Sequence, residues 1–185
     1  MRTSVPVLLL TLASLQSSSP ASPNGKPKGT VCWPLHFAGI TVGVNNDSQV
    51  QRLLGKSVFR QDEGHTGARY FIDANHAATL HIVEGVDQVV DKLTVAEGVS
   101  HEIKMSEQAN ANSKWFDPRE PFGNYHALQL GSGKESVIGN LGEPQRRVSP
   151  DKWIYESTCA CEIPSYLTVS FKAGRLVQLE LSAEE

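Results

Sequence analysis

An internal repeat constrains the fold of this chain more than any other feature of its sequence. The segments 40–43 and 50–55, which read ITVG and VQRLLG, return at 128–131 and 137–142 as LQLG and VIGNLG. Three pairs of glycines keep nearly the same separation of 87 to 89 residues: Gly43 and Gly131, Gly55 and Gly142, Gly85 and Gly174. A fixed period of this kind is typical of a duplicated structural module.

The first 21 residues have the order of a secretory signal peptide. Arg2 supplies a positive charge, residues 5–15 are largely apolar, and residues 17–23 are small and polar. The apolar run is too short to cross a bilayer, and no later segment approaches that length. We therefore predict a signal peptide at 1–21, an N-terminal extension at 22–35, and a periplasmic or secreted protein with no membrane span. A disordered N-terminal tail is the alternative.

Charge and cysteine content narrow the classes of function. Seventeen Lys and Arg against twenty Asp and Glu give a net charge of −3, with no basic run, which disfavours nucleic acid as a partner. The three cysteines suit an oxidising compartment. Cys32 can form a disulfide with Cys159 or Cys161, and Cys32 with Cys161 is the pair that we predict. A Cys159–Cys161 bridge and a metal site are the alternatives.

Each copy of the repeat predicts a short helix followed by antiparallel strands. Asn46 or Asp47 can cap the first helix and Gly55 end it, while Ser132 with Glu135 forms a capping box for a second helix that ends at Gly142. About three strands follow each helix, at 69–73, 79–83 and 89–95 and then at 152–156, 167–171 and 176–181. The predicted modules are 36–98 and 125–185, joined by a linker at 99–124.

The linker ends in a loop rich in proline and glycine that carries large apolar side chains. Trp115 and Phe116 belong to this loop at 113–123. Such side chains either staple the two modules together or serve as anchors for a partner, and both alternatives stay open.

The spacing of glycines, valines and leucines resembles a known family. Gly43, Val50 and Leu54-Gly55, with Gly131, Val137 and Leu141-Gly142, are similar to the helical part of SmpA/OmlA/BamE-type modules. A tandem pair in an exported protein is similar to the β-lactamase inhibitory protein (BLIP) family. The resemblance implies an α+β fold, with two helix-plus-meander modules forming one curved sheet that has helices on one face. It also implies a protein that binds other proteins and catalyses nothing.

The predicted strands provide candidate binding residues. If Phe71 and Ile154 face the helices, alternation turns Tyr70, Ile72, Trp153 and Tyr155 to the uncovered face of the sheet. Aromatic residues there would dominate a protein interface. The opposite phase, with these four side chains in the core, is the alternative. The resemblance places an inhibitory acidic residue in the loop at 73–78, where Asp73 is the candidate, although turn chemistry also explains it.

The histidines do not form a convincing catalytic or metal-binding pattern. His76 and His81 are five residues apart around a predicted hairpin strand, so they point to opposite faces. No serine lies in a nucleophile-elbow context. We therefore expect no catalytic activity, no metal and no cofactor. The predicted function is that of an exported protein-binding module, either inhibitor-like or an envelope-assembly factor, and a small-ligand or glycan-binding module is the alternative.

Overall fold

A computed structural model describes residues 36–63, 66–100, 103, 116–123, 125, 128–156 and 165–183. The first half begins with the short strands β1 (His36–Phe37) and β2 (Ile40–Thr41) and helix α1 (Asp47–Leu54). The strands β3 (Phe59–Glu63), β4 (Thr66–Ile72), β5 (Ala78–Glu84) and β6 (Val90–Glu97) follow. The second half consists of helix α2 (Lys134–Leu141) and the strands β7 (Arg146–Ser149), β8 (Lys152–Glu156), β9 (Tyr166–Lys172) and β10 (Arg175–Ser182).

One antiparallel sheet of eight strands, in the order β3-β4-β5-β6-β10-β9-β8-β7, runs through both halves of the chain. Its central pair is β6 and β10, in which Val95 lies opposite Leu179 and Leu93 opposite Leu181. The strands of each half lie in sequence order from the edge of the sheet inward to this pair, so β3 and β7 are the two edges. Every strand pair in the sheet is antiparallel.

The predicted α+β fold of two tandem helix-plus-meander modules is wrong. The described part of the chain is mostly β-structure in a single eight-stranded sheet, and its two bounded helices have only eight residues each. The edge strands β3 and β7 were not predicted because they have no alternation of apolar and polar residues. Charged side chains such as Arg146 and Arg147 are common on edges, where they discourage pairing with another chain.

The two short helices themselves are confirmed. The side chain of Asn46 accepts a hydrogen bond from the backbone N–H of Gln49, and the Gln49 side chain accepts one from the backbone N–H of Asn46, which completes a capping box at α1. The box predicted for α2 is wrong, because Gly133 is the N-cap and no side chain caps it. Gly55 and Gly142 follow the helices with φ of 78° and 79°, which glycine adopts without a steric cost.

The repeated glycines ahead of the helices attach each half to its last strand. The backbone N–H of Gly43 donates to the carbonyl of Val90, and that of Gly131 donates to the carbonyl of Leu176, both at 2.8 Å. Both glycines have positive φ, of 75° and 87°. A side chain at either position would strain this backbone conformation, which explains why the sequence repeats glycine there.

The main hydrophobic core lies between the sheet and both helices. Val50 and Leu54 of α1 and Val137 and Leu141 of α2 pack in one cluster with apolar residues of β4, β5, β6, β8, β9 and β10. The helices are too short to be stable alone, so this packing stabilises them. We call the opposite side of the sheet, which neither helix contributes to, the open face.

Candidate functional site

The phase of β4 agrees with the prediction, but Ile72 is not exposed. Phe71 lies in the main core, while Ile72 lies on the open face in a second cluster with Val58 and Ile103. Tyr70 is partly buried against the same cluster. The open face of the first half is therefore covered in part by residues of the chain itself.

The phase predicted for β8 is wrong. Trp153 is 3% exposed and Tyr155 is fully buried, and both belong to the main core. The strand register explains this burial. Trp153 lies opposite Val169 of β9, and Val169 lies opposite Leu179 of β10. Residues directly opposite one another share a face of the sheet, and Val169 and Leu179 both belong to the main core. Ile154 is the β8 side chain on the open face. The assumed equivalence of Phe71 and Ile154 caused the error, and a role of Trp153 and Tyr155 in protein binding stays a prediction that their burial does not favour.

Aromatic and cationic side chains surround Trp153 on the helix side. Its ring centroid is 4.5 Å from that of Phe171, and Lys134 and Arg147 lie over the indole at 5.7 and 5.1 Å. The hydroxyl of Tyr155 donates to the carbonyl of Gly142 at 3.2 Å. Burial raises the pKa of this hydroxyl well above its usual range, with a smaller contribution from Glu143 in the same direction. These contacts give Trp153 and Tyr155 a structural role.

Asp73 and Phe116, two other predicted binding residues, also have structural roles. The Asp73 carboxylate accepts hydrogen bonds from the backbone N–H groups of Asn75, Ala77 and Ala78, so it organises the β4–β5 turn. Phe116 is buried 6.0 Å from Phe37 in the main core, as expected of a staple. Their proposed contact with a partner stays a prediction. Trp115, Cys32 and Cys161 lie outside the described residues.

A group of three charges, of which Arg69 and Glu84 are buried and Asp47 is partly exposed, holds α1 against the sheet. Arg69 forms ion pairs with Asp47, the first residue of α1, and with Glu84 of β5, whose carboxylate oxygen is 2.8 Å from the Arg69 Nε. Burial raises the pKa of Glu84, and the hydrogen bond and charge of Arg69 oppose this effect. An unpaired charge at this depth would be costly, so the three groups depend on one another.

His81 occupies the open face beside Tyr70. The two rings stack in parallel with centroids 4.3 Å apart. Burial, followed by the charge of Lys92, lowers the pKa of His81, whereas Glu180 raises it by less. His81 is therefore mainly neutral at neutral pH.

The open face of the second half contains a cleft of about 740 Å³. Two neighbouring rows of cross-strand residues form its floor. One row is Arg146, Ile154, Thr168 and Glu180, and the next is Tyr166, Ser182, Lys92 and Val83. The cleft thus extends over the strands from the edge strand β7 to β6 and β5 beyond the middle of the sheet. We call it the open-face cleft.

Basic residues outnumber acidic ones around this cleft. The described lining includes Lys92, Arg146, Arg147 and Lys152 but only Asp91 and Glu180 as acids. Lys92 and Glu180 lie 3.7 Å apart and partly neutralise each other. Arg147 extends toward Trp153 on the helix side. Arg146 and Lys152 are exposed basic residues of the lining near β7.

The open-face cleft was missed because its residues come from six strands and share a surface only through the sheet register. The adjacent basic residues Arg146 and Arg147 and the charged ends of β8 are the sequence signals nearest to it.

Within the described ranges, no three His, Cys, Asp or Glu side chains gather as a metal site. No helix among the described residues is long and apolar enough to span a membrane.

Comparisons with known proteins show one distant structural similarity. No family model and no curated protein matches the chain. Among solved structures, the fold is similar to that of a DUF4309 family protein (YjgB) from Bacillus subtilis, with a TM-score of 0.49 and 10% sequence identity. This similarity covers 79% of the present chain and 83% of the other.

Proposed function

We propose that this chain is an exported, non-enzymatic protein that binds another protein through the open-face cleft. The observation that carries the proposal is the cleft itself, whose lining places the apolar residues Ile154, 6% exposed, and Val148, 56% exposed, among charged and hydroxyl side chains. An apolar centre with a polar rim is the usual composition of a protein interface. The rigid sheet also positions these side chains before a partner arrives, which reduces the entropic cost of binding.

A small-ligand or glycan-binding protein is the second candidate. A cleft of about 740 Å³ is within the range of small-molecule sites, which is roughly 300–1,000 Å³. Tyr166 offers one aromatic ring in its lining. The burial of Trp153 and Tyr155 removes the exposed aromatic stripe on which sugar stacking depended, and this favours a protein partner.

Export is the part of the proposal that rests on the first 21 residues. N-terminal sequencing of the protein recovered from its natural host should find a chain that starts after the small residues near Ala21. A mature protein that still begins at Met1 would contradict export but leave the binding proposal standing.

Site-specific photocrosslinking tests the binding proposal. A photoreactive amino acid at Ser170, a partly exposed position that lies opposite Lys152 across β9 and β8, should give discrete protein adducts in the host's own extract. The matched control carries the same amino acid at Glu135, which is exposed on α2. Adducts at both positions or at neither would contradict protein binding through this face. Binding to a glycan array without adducts would support the second candidate.

A further inference from the structure

The excess of positive charge in the open-face cleft indicates what kind of partner it suits. The whole chain carries a net charge of −3, yet three of the five charged lining residues that remain when Arg147 is left out are basic. A local excess of the opposite sign to the net charge steers and orients acidic partners. This inference rests on the proposed function and adds the chemistry of the partner.

The two outer basic residues lie close enough to contact one carboxylate group together. Arg146 is directly opposite Ile154, and Lys152 is two residues before Ile154 on β8. Such diagonal neighbours on one face are about 7–8 Å apart at their backbones, within reach of long side chains. Both residues are exposed, so a carboxylate can approach them from solvent.

The floor of the cleft changes character from the edge of the sheet inward. Next to Arg146 lies Ile154, followed by the hydroxyl groups of Thr168 and Tyr166. The pair of Lys92 and Glu180 marks the inner end. Four strand spacings separate β7 from β6, a distance of about 19 Å, which roughly six residues of extended chain would span.

We propose that the open-face cleft binds an extended, acidic peptide segment of a partner protein, about six residues long. Its Asp or Glu side chains contact Arg146 and Lys152 at the edge of the sheet. An apolar side chain follows over Ile154, and polar groups meet the hydroxyls toward Lys92. Charge-assisted hydrogen bonds from Arg and Lys to carboxylates give this arrangement its orientation.

Two labelled peptides test the proposal with the full chain. One hexapeptide contains two glutamates, two leucines and two serines in that order, and its partner has glutamines in place of the glutamates. Fluorescence anisotropy at low ionic strength should show at least tenfold tighter binding of the glutamate peptide, and added salt should reduce this difference. Equal binding of the two peptides would overturn the proposal.

Charge reversals locate the site. Arg146→Glu and Lys152→Glu should each weaken binding of the glutamate peptide at least tenfold, whereas Lys56→Glu, the same change at an exposed residue outside the cleft lining, should alter it less than twofold. The double variant of Arg146 and Lys152 should instead bind a hexapeptide with lysines in place of the glutamates. Thermal melts of each variant establish that the fold is retained.

Three further outcomes count against the proposal. These are an equal loss of binding in Lys56→Glu, no effect of either cleft variant, and tight binding of a sulfated oligosaccharide where the glutamate peptide fails. The last result would assign the same charges to a glycan. Crosslinking at Ser170 does not depend on peptide charge, so adducts there together with peptides that bind equally would retain the proposed function and refute only the acidic segment.

Discussion

Replacement of Trp153 by alanine should destabilise the protein strongly, because this side chain belongs to the main core. It is 3% exposed and packs 4.5 Å from the ring of Phe171. Truncation of a buried Trp typically costs about 3–5 kcal/mol, from the lost transfer free energy and the cavity that remains. For a domain of this size, that corresponds to a fall in Tm of roughly 6–20 °C. Urea titration and thermal melts followed by circular dichroism measure both quantities.

Two further variants control for this measurement. Trp153→Phe keeps an aromatic ring and removes an indole N–H that has no hydrogen-bond partner among the described residues, so it should cost less than Trp153→Ala, which leaves the larger cavity. Ile154→Ala should cost less than Trp153→Ala, because Ile154, although 6% exposed, is the smaller side chain and borders the open-face cleft rather than the main core. A Trp153→Ala variant that melts later than Ile154→Ala would refute the strand phase described above.

Three other parts of the molecule give predictions of their own. Arg69→Met should cost about 3–5 kcal/mol in urea titrations, because it removes the buried cation that pairs with the buried Glu84 carboxylate and with the partly exposed Asp47. Asn46→Ala should cost about 1 kcal/mol through the lost capping box, whereas Gly133→Asn should add a few tenths, since the N-cap of α2 is extended and has no side-chain cap. The pKa of His81 is lowered in the folded state by burial and by Lys92, so the unfolded chain takes up this proton first. Stability should therefore fall as the pH drops through about 6.5, and His81→Phe should reduce that fall in melts at pH 7.5 and 5.5.

The parts of the fold that were predictable depend on local chemistry. Asn46 and Gly55 act within one turn of α1, so their signals are complete in the sequence. The strand β9 alternates between apolar and polar residues because one side of it packs on the core, whereas the alternation of β10 is interrupted by a bulge between Leu176 and Gln178. Both kinds of signal need only neighbouring residues. The extent of the sheet cannot be predicted from neighbouring residues alone, because the edge strands are recognisable only through the strands with which they pair.

The phase of β8 shows where local reasoning fails. Its residues Trp153, Ile154 and Tyr155 are all apolar or aromatic, so alternation alone allows either phase. The flanking charges Lys152 and Glu156 share the phase of Ile154 and point to the correct answer. If flanking charged residues always marked the solvent-facing side of a strand, Phe71 of β4 would face solvent, because Arg69 and Asp73 point to the same side as Phe71.

The difference between the two strands lies in the partners of their charged residues. Arg69 is buried with two carboxylates, and Asp73 is buried with the backbone N–H groups of its own turn. Lys152 and Glu156, by contrast, are exposed. A charged residue therefore marks the solvent side of a strand only when no partner satisfies it inside, and the partners of Arg69 lie 22 and 15 residues away in the chain.

The two halves of the chain differ on the open face of the sheet. In the first half, Val58 and Ile103 pack over Ile72 and remove it from solvent. In the second half, Ile154 borders a cleft with basic residues at its outer end. A partner that binds to the second half does not have to displace the hydrophobic cluster around Ile72, so the free energy of its contacts is not spent on opening the protein. The proposed partner would therefore reach the open-face cleft without a rearrangement of that cluster.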